Sequence, residues 1–393
     1  KGNESAISSI TIKWKDDAGE EEKLERLITQ KWIAMWPLGQ EAWSEYRRTG
    51  YPRFFPLLNG NVTNLPSANS MRKIFYFIML LFGITVANTA CDDWTDMEPK
   101  FQEDMTQSSL PEEYYAQLRA YKKTDHPVAF GWFGNWTGNG ATLEKCLAGL
   151  PDSVDFVSIW GNWRNLTEAQ TKDLRYVQNV KGTKALMCFI VQNIGDQLTP
   201  EEYKDNYLEF WGWNENKEEA IKKYAHAICD SIDKYGYDGF DIDYEPNFGH
   251  RGNMSGSDEN MLLFIQTLGE RIGPKSGTDR LLVIDGEPQS IVSESGPYFN
   301  YFIVQAYDSP GDNTGRDNLD SRLNSTIRNF DGHLTAEEVA KKYIVTENFE
   351  KWALSGGADF TDRYGNKMKS LEGMARWTPI IDGKKCVKGG VGT

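Results

Sequence analysis

From about residue 125 onward, short apolar stretches alternate with amphipathic ones. The apolar stretches are Val128–Phe133, Val154–Trp160, Lys184–Val191, Gly239–Tyr244, Leu281–Ile284, Tyr301–Ala306 and Tyr343–Thr346. They are rich in β-branched and aromatic residues and bounded by turn formers, the pattern of buried parallel strands. Between them, residues 217–235 place Ile221, Tyr224, Ala225, Ile228 and Ile232 on one helical face, and Leu262, Ile265, Leu268 and Ile272 repeat the spacing after the fourth strand. Thr167 with Gln170, and Thr335 with Glu338, read as capping boxes, and Thr199-Pro200-Glu201-Glu202 reads as a further helix start. Seven strands alternating with helices predict an α/β fold, a (β/α)8 TIM barrel. Residues 388–393 look like the start of an eighth strand, so the expectation is a barrel truncated there and open at its edge.

The first part of the chain follows another pattern. Met71-Arg72-Lys73, an apolar run from Ile74 to Ala87 and the small residues before Cys91 form a signal-peptide pattern. The run is short of the roughly 20 residues of a bilayer span. Ala90-Cys91 resembles a bacterial lipobox, although Asn88 departs from its usual aliphatic residue. The resemblance implies lipidation at Cys91 and membrane contact only through that anchor. Upstream, Gln30-Lys31-Trp32-Ile33-Ala34-Met35-Trp36-Pro37-Leu38-Gly39-Gln40 and the following residues to Pro52 resemble the C-terminal part of SusD-like outer-membrane glycan-binding lipoproteins. The expected organisation is a SusD-like α-helical fragment (1–58), a linker (59–70), an internal lipoprotein signal (71–91), a tether and lead-in (92–124) and the barrel (125–393). It implies two neighbouring genes of a glycan-utilisation locus joined near Met71.

Charge and composition narrow the chemistry. The net charge is −14, and the acidic excess falls entirely after Cys91, which disfavours nucleic acid as a partner. The five cysteines and four histidines lack zinc-site spacing, and neither a phosphate loop nor a nucleophile elbow is present. No metal or cofactor is expected. Aromatic residues make up 13% of the chain, more ring surface than a core requires and suited to stacking on sugars.

In Tyr237-Asp238-Gly239-Phe240-Asp241-Ile242-Asp243-Tyr244-Glu245, Asp241, Asp243 and Glu245 fall at i, i+2 and i+4. On a strand all three share one face and Phe240, Ile242 and Tyr244 the other. Three carboxyls aimed together are costly to bury, and shifted pKa values and shared protons are what they offer. The stretch resembles the D-G-x-D-x-D-x-E motif of family 18 glycoside hydrolases. By that resemblance Glu245 is the general acid and then base, Asp243 orients the substrate's 2-acetamido group, and Asp241 supports Asp243. Gln305 and Tyr307 are expected to hold the same acetamido group from the sixth strand. Asp238, Tyr244, Trp132, Trp160, Trp163, Glu347 and Asn348 are counted as substrate contacts, and Trp211 and Trp213 as parts of a recognition wall.

The third strand lacks the S-x-G-G stretch of chitinases, so the resemblance is to endo-β-N-acetylglucosaminidases of the F type in Bacteroides-like bacteria. It implies an N-glycan or glycoprotein substrate, an outer-membrane or cell-surface location in a Gram-negative bacterium, possible partners in a glycan-uptake complex, and a monomer. A chitinase and a non-catalytic glycan-binding lipoprotein on the same barrel stand as alternatives.

Overall fold

The computed structural model describes residues 17–19, 22–23, 110–140 and 142–393. The chain divides into a unit of residues 1–101 and a unit of residues 102–393, which holds the barrel. The SusD-like stretch, apart from residues 17–19 and 22–23, and the linker, the apolar run and Cys91 lie outside the described residues.

All seven predicted strands form. They are β1 (Val128–Gly134), β2 (Phe156–Trp160), β3 (Lys184–Ile190), β4 (Gly239–Tyr244), β5 (Leu281–Gly286), β6 (Tyr301–Gln305) and β7 (Tyr343–Thr346). Each pairs in parallel with the next.

The expectation of an open edge is corrected. Gly390–Gly392 forms an eighth strand bonded on one side to β1, with Gly390 opposite Val128, and on the other to β7, with Gly390 opposite Ile344. The barrel is closed. The closing strand is short and glycine-rich, so it carries almost none of the side-chain signal by which a strand is recognised. Glycine is required by proximity: a Cβ at Gly390 would stand 2.2 Å from the Val128 carbonyl oxygen. Gly239 has the same reason to be glycine at the foot of β4, where a Cβ would meet the Leu281 carbonyl oxygen at 2.0 Å.

Strand alternation sorts side chains into two cores. Inside the base of the barrel, Phe130, Phe156, Leu186, Val283, Ile303 and Ile344 pack together. Outside, Phe240, Ile242, Ile284 and Phe302 join the larger core beneath the helices. The Lys217–Tyr235 helix turns Ile221, Tyr224, Ala225, Ile228 and Ile232 into that core, as their spacing predicts. Both predicted capping boxes form. The third helix start forms as a 3-10 helix (Glu201–Asn206) without the expected Thr199 cap: Thr199 Oγ1 accepts from Trp211 Nε1 and donates to the Gly195 carbonyl. With the base plugged by apolar residues, polar inward-facing groups can gather only toward the C-terminal strand ends.

Closure at the eighth strand sets the first expectation. Gly390→Ala should lower stability by about 2–4 kcal/mol, because the new Cβ forces β1 and the closing strand apart. Urea unfolding measures it, and an unchanged midpoint would contradict the close pairing.

Candidate active site

A cavity of about 420 Å³ opens at the C-terminal ends of the strands, where barrel enzymes carry their chemistry. Its wall includes Trp132, Trp160, Asp243, Glu245, Asp285, Gln305, Tyr307, Glu347 and Asn348.

Asp241 is fully buried in the barrel, and its Oδ2 accepts from Ser158 Oγ at 2.6 Å. Burial raises its carboxyl to about 6. Asp243 lies two residues nearer the mouth and is also buried. Burial first, then the neighbouring Glu245 and Asp241, push it up to about 8. Glu245 follows the last residue of β4, at the head of a 3-10 turn (Pro246–Phe248). His250 Nε2 stands 3.7 Å from its Oε2. The three acids thus climb one face of one strand from a dry interior to the cavity.

β5 contributes a residue that the motif does not contain. Asp285 is buried directly beside Asp243 in the strand register, and its Oδ1 accepts from Gln305 Nε2 at 3.1 Å. Burial, then Asp241 and Asp243, push its carboxyl well above the usual range. Its sequence signal is parity: it shares the inward face of β5 with Val283. Tyr307 lies just beyond β6. Burial, followed by Asp285 and Glu245, pushes its phenol up, so it remains a donor. Among the described residues, one trio of metal-type side chains comes within 4.8 Å of one another: Cys188, Asp241 and Asp285. Ser158 donates to Asp241, and Cys188 Sγ lies 3.8 Å from Asp285 Oδ2, so the trio reads as a hydrogen-bonded acid cluster.

Two further glutamates brace the rim. Glu287, absent from the sequence expectations, accepts from the Asn247 backbone at 2.8 Å and from its Nδ2 at 3.0 Å. These bonds fix the turn that follows Glu245. Glu347 accepts from the backbone of Asp308 at 3.0 Å and of Asn348 at 2.7 Å, and from Ser370 Oγ. Glu347 lines the cavity as expected, and the protein donors that engage its oxygens tie the β6 and β7 loops together.

Of the remaining expected contacts, Trp132, Trp160 and Asn348 reach the cavity, and Asn348 also accepts from Lys351 N to start the Phe349–Trp352 helix. Four do not. Asp238 lies at the opposite end of β4, where it accepts from Ala185 N and Gln178 Nε2. Tyr244 points outward, and its hydroxyl donates to the Ser255 carbonyl. Trp163 is packed against Phe189 in the outer core, and Trp211 is buried against Tyr224. Trp213 packs beside that core as well. Trp160 ends an inward row of β2 and is 43% exposed, whereas Trp163 follows in the loop and is 3% exposed.

Residues 91–393 match the family model described as glycoside hydrolase family 18, BT1044-like. Residues 1–78 match the model for Susd and RagB outer membrane lipoprotein. Endo-beta-N-acetylglucosaminidase EndoS of Streptococcus pyogenes serotype M1 is 26% identical over 299 residues, which is 66% of this chain and 28% of that protein. The chain therefore spans little more than a quarter of that relative. A selenomethionine-labelled glutamate-to-glutamine variant of BT1044 is 36% identical with a TM-score of 0.62, covering 74% of this chain and 88% of its own. An endo-beta-N-acetylglucosaminidase from Cordyceps militaris, at 20% identity and a TM-score of 0.50 over 72% of this chain and 86% of its own, shares the fold.

The two tryptophans should part company on substitution. Trp163→Ala should cost about 3–5 kcal/mol of stability, whereas Trp160→Ala should change it by less than about 0.5 kcal/mol. Chemical denaturation reads both, and equal losses would contradict their assigned places.

Asp243 adds a pH signature. Its carboxyl holds a proton up to about pH 8 in the folded chain, against about 3.9 for an unfolded aspartate. The folded state binds that proton more tightly, so its contribution is complete below the unfolded value and is lost as pH rises toward 8. Asp243→Asn removes this loss. The variant should gain on the wild type as pH rises through that window, by at most about 1.4 kcal/mol per pH unit. A pH-independent difference in unfolding free energy would contradict it.

Proposed function

This chain belongs to glycoside hydrolase family 18, and we propose that it is an endo-β-N-acetylglucosaminidase. On this reading it cuts the β-1,4 bond between the two core GlcNAc residues of N-glycans, with retention and with the substrate's own acetamido group as nucleophile. The observation that carries the reading is the division between Asp243 and Glu245. Both line the cavity, two residues apart, but the deeper acid is buried with its carboxyl pushed up to about 8, while the outer one lies past the last residue of the strand. Asp285 is buried as well, and Glu347 is engaged by protein donors. This leaves Glu245 as the proton donor and no paired carboxylate set up as nucleophile, the situation of the substrate-assisted families.

Glu245 gives its proton to the glycosidic oxygen as the bond to the anomeric carbon breaks. The acetamido oxygen bonds to that carbon and forms an oxazolinium ion. Asp243 accepts the acetamido N–H, and Tyr307 and Gln305 hold the same group from across the cavity. Glu245, now a carboxylate, takes a proton from the water that opens the ring. Trp132 and Trp160 offer ring faces for stacking on sugars.

The placement at the cell surface, anchored through Cys91 in the outer membrane and working beside components of a glycan-uptake complex, is part of the same proposal. The family match of residues 1–78 supports it.

The test is hydrolysis of a high-mannose and a biantennary N-glycoprotein, read by mass spectrometry. Each cleaved site should keep one GlcNAc. Glu245→Gln should lower kcat by about 10²–10⁴-fold. Full activity in that variant removes Glu245 from the mechanism, and cleavage of chitin oligosaccharides alone replaces the proposed substrate.

A further inference from the structure

The acid cluster contains one carboxyl to which neither the motif nor the proposed mechanism assigns a task. Asp285 is buried on the inner face of β5, and the strand register sets it beside Asp243 on β4. Like charges placed opposite each other on neighbouring strands destabilise the pair. The groups facing Asp285 make matters worse: Asp241 and Asp243 from β4, Glu245 above them, Cys188 from β3 and Tyr307 beyond β6.

The hydrogen bonds locate what relieves this. Asp241 Oδ2 has its donor in Ser158, but Asp241 Oδ1 is buried without one. Asp285 Oδ1 has its donor in Gln305 Nε2. Its Oδ2 faces the cluster, 3.8 Å from Cys188 Sγ, and the polar atoms of Cys188, Asp241 and Asp285 lie within 4.8 Å of one another. One proton on Asp285 Oδ2 supplies the donor that Asp241 lacks. It also leaves Oδ1 free to accept from Gln305.

Resting on the reading of the site given above, we propose that Asp285 is a positioning residue: it carries a proton shared with Asp241, and it fixes the Gln305 amide with its nitrogen toward β5 and its oxygen available to the substrate. A protonated buried acid can do both, because its O–H donates while its other oxygen accepts. Burial and the surrounding acids, which push its carboxyl well above the usual range, agree with that role. Asp285 thereby acts on the reaction through Gln305, without touching the sugar.

The experiment uses the full chain with Asp285→Asn, Asp285→Ala and Gln305→Ala, alone and with Asp285→Ala. The infrared C=O band of a protonated carboxyl, recorded on the slightly alkaline side of neutrality, should weaken by one group in Asp285→Asn. In N-glycoprotein cleavage, Asp285→Asn should lower kcat about 2–5-fold with the acid limb of its pH profile unmoved, and Asp285→Ala about 10–100-fold. The double variant should be no slower than Gln305→Ala alone, within about twofold. An undiminished infrared band, a displaced acid limb or additive losses in the double variant would overturn the proposal. Asp285→Asn keeps the shape of the side chain, so it carries the test should Asp285→Ala fail to fold. If the wild-type protein cleaves no glycan, the functional reading falls, and the infrared band alone still decides where the proton sits.

Discussion

Asp241, Asp243 and Asp285 are enclosed together inside a closed barrel, and an enclosed carboxylate without compensation costs several kcal/mol. Much of the site follows from that constraint. Ser158 and Gln305 supply donors to the cluster. Burial is also the first cause that raises all three acids, which favours the protonated form within the cluster. The apolar plug of Phe130, Phe156, Leu186, Val283, Ile303 and Ile344 below them keeps the lower barrel dry. The outward faces of the same strands must then be wholly apolar, so Phe240 and Ile242 alternate with Asp241 and Asp243 and are covered by helices. One strand can hold acids inside only because its other face helps to hold the domain together.

The loops answer a different need. A cavity rim made of connecting segments must be held still, and here carboxylates are used for that as well. Glu287 takes up the Asn247 backbone and so fixes the turn after Glu245. Glu347 takes up the backbones of Asp308 and Asn348 and so joins two loops. Asp308 in turn sits in the left-handed region and accepts from Trp352 Nε1 at 2.6 Å. The same functional group therefore does three things within one cavity, and its neighbours decide which. Backbone donors make it a brace, other acids make it hold a proton, and an open mouth leaves it free to exchange one.

That distinction also marks what the sequence makes legible. Strand limits were readable because alternation and β-branched residues record burial directly: Gly239–Tyr244 and Tyr343–Thr346 fall where expected. The inward direction of Asp241 and Asp243 was readable from the same period of two. Contacts between strands were not. Asp285 and Ser158 become part of the cluster only through the register of β2 to β5, and no local pattern states that register. Trp163 and Trp211 show the converse. A tryptophan in a loop near the strand ends has the composition of a sugar platform, and only packing against Phe189 or Tyr224 shows that it belongs to the core. The closing strand is legible at residues 388–393 but its closure of the barrel is not, since Gly390 and Gly392 work by having no side chain.

Depth on β4 then sets what each acid can do. Residues two apart on a strand differ in height by about 6.6 Å, and Glu245 also lies past the last residue bonded into the sheet. A group that gives up and regains a proton in every turnover needs contact with the cavity. A group that steadies a substrate amide does better where water is excluded and its electrostatic interactions are stronger. On the reading proposed above, Asp243 and Glu245 meet these two requirements by position alone, without any difference in side-chain chemistry. Moving the pattern by one residue would put both acids among the helices. Moving it by two would bury the outer acid with the inner ones and leave the cavity without a carboxyl at the level of Glu245.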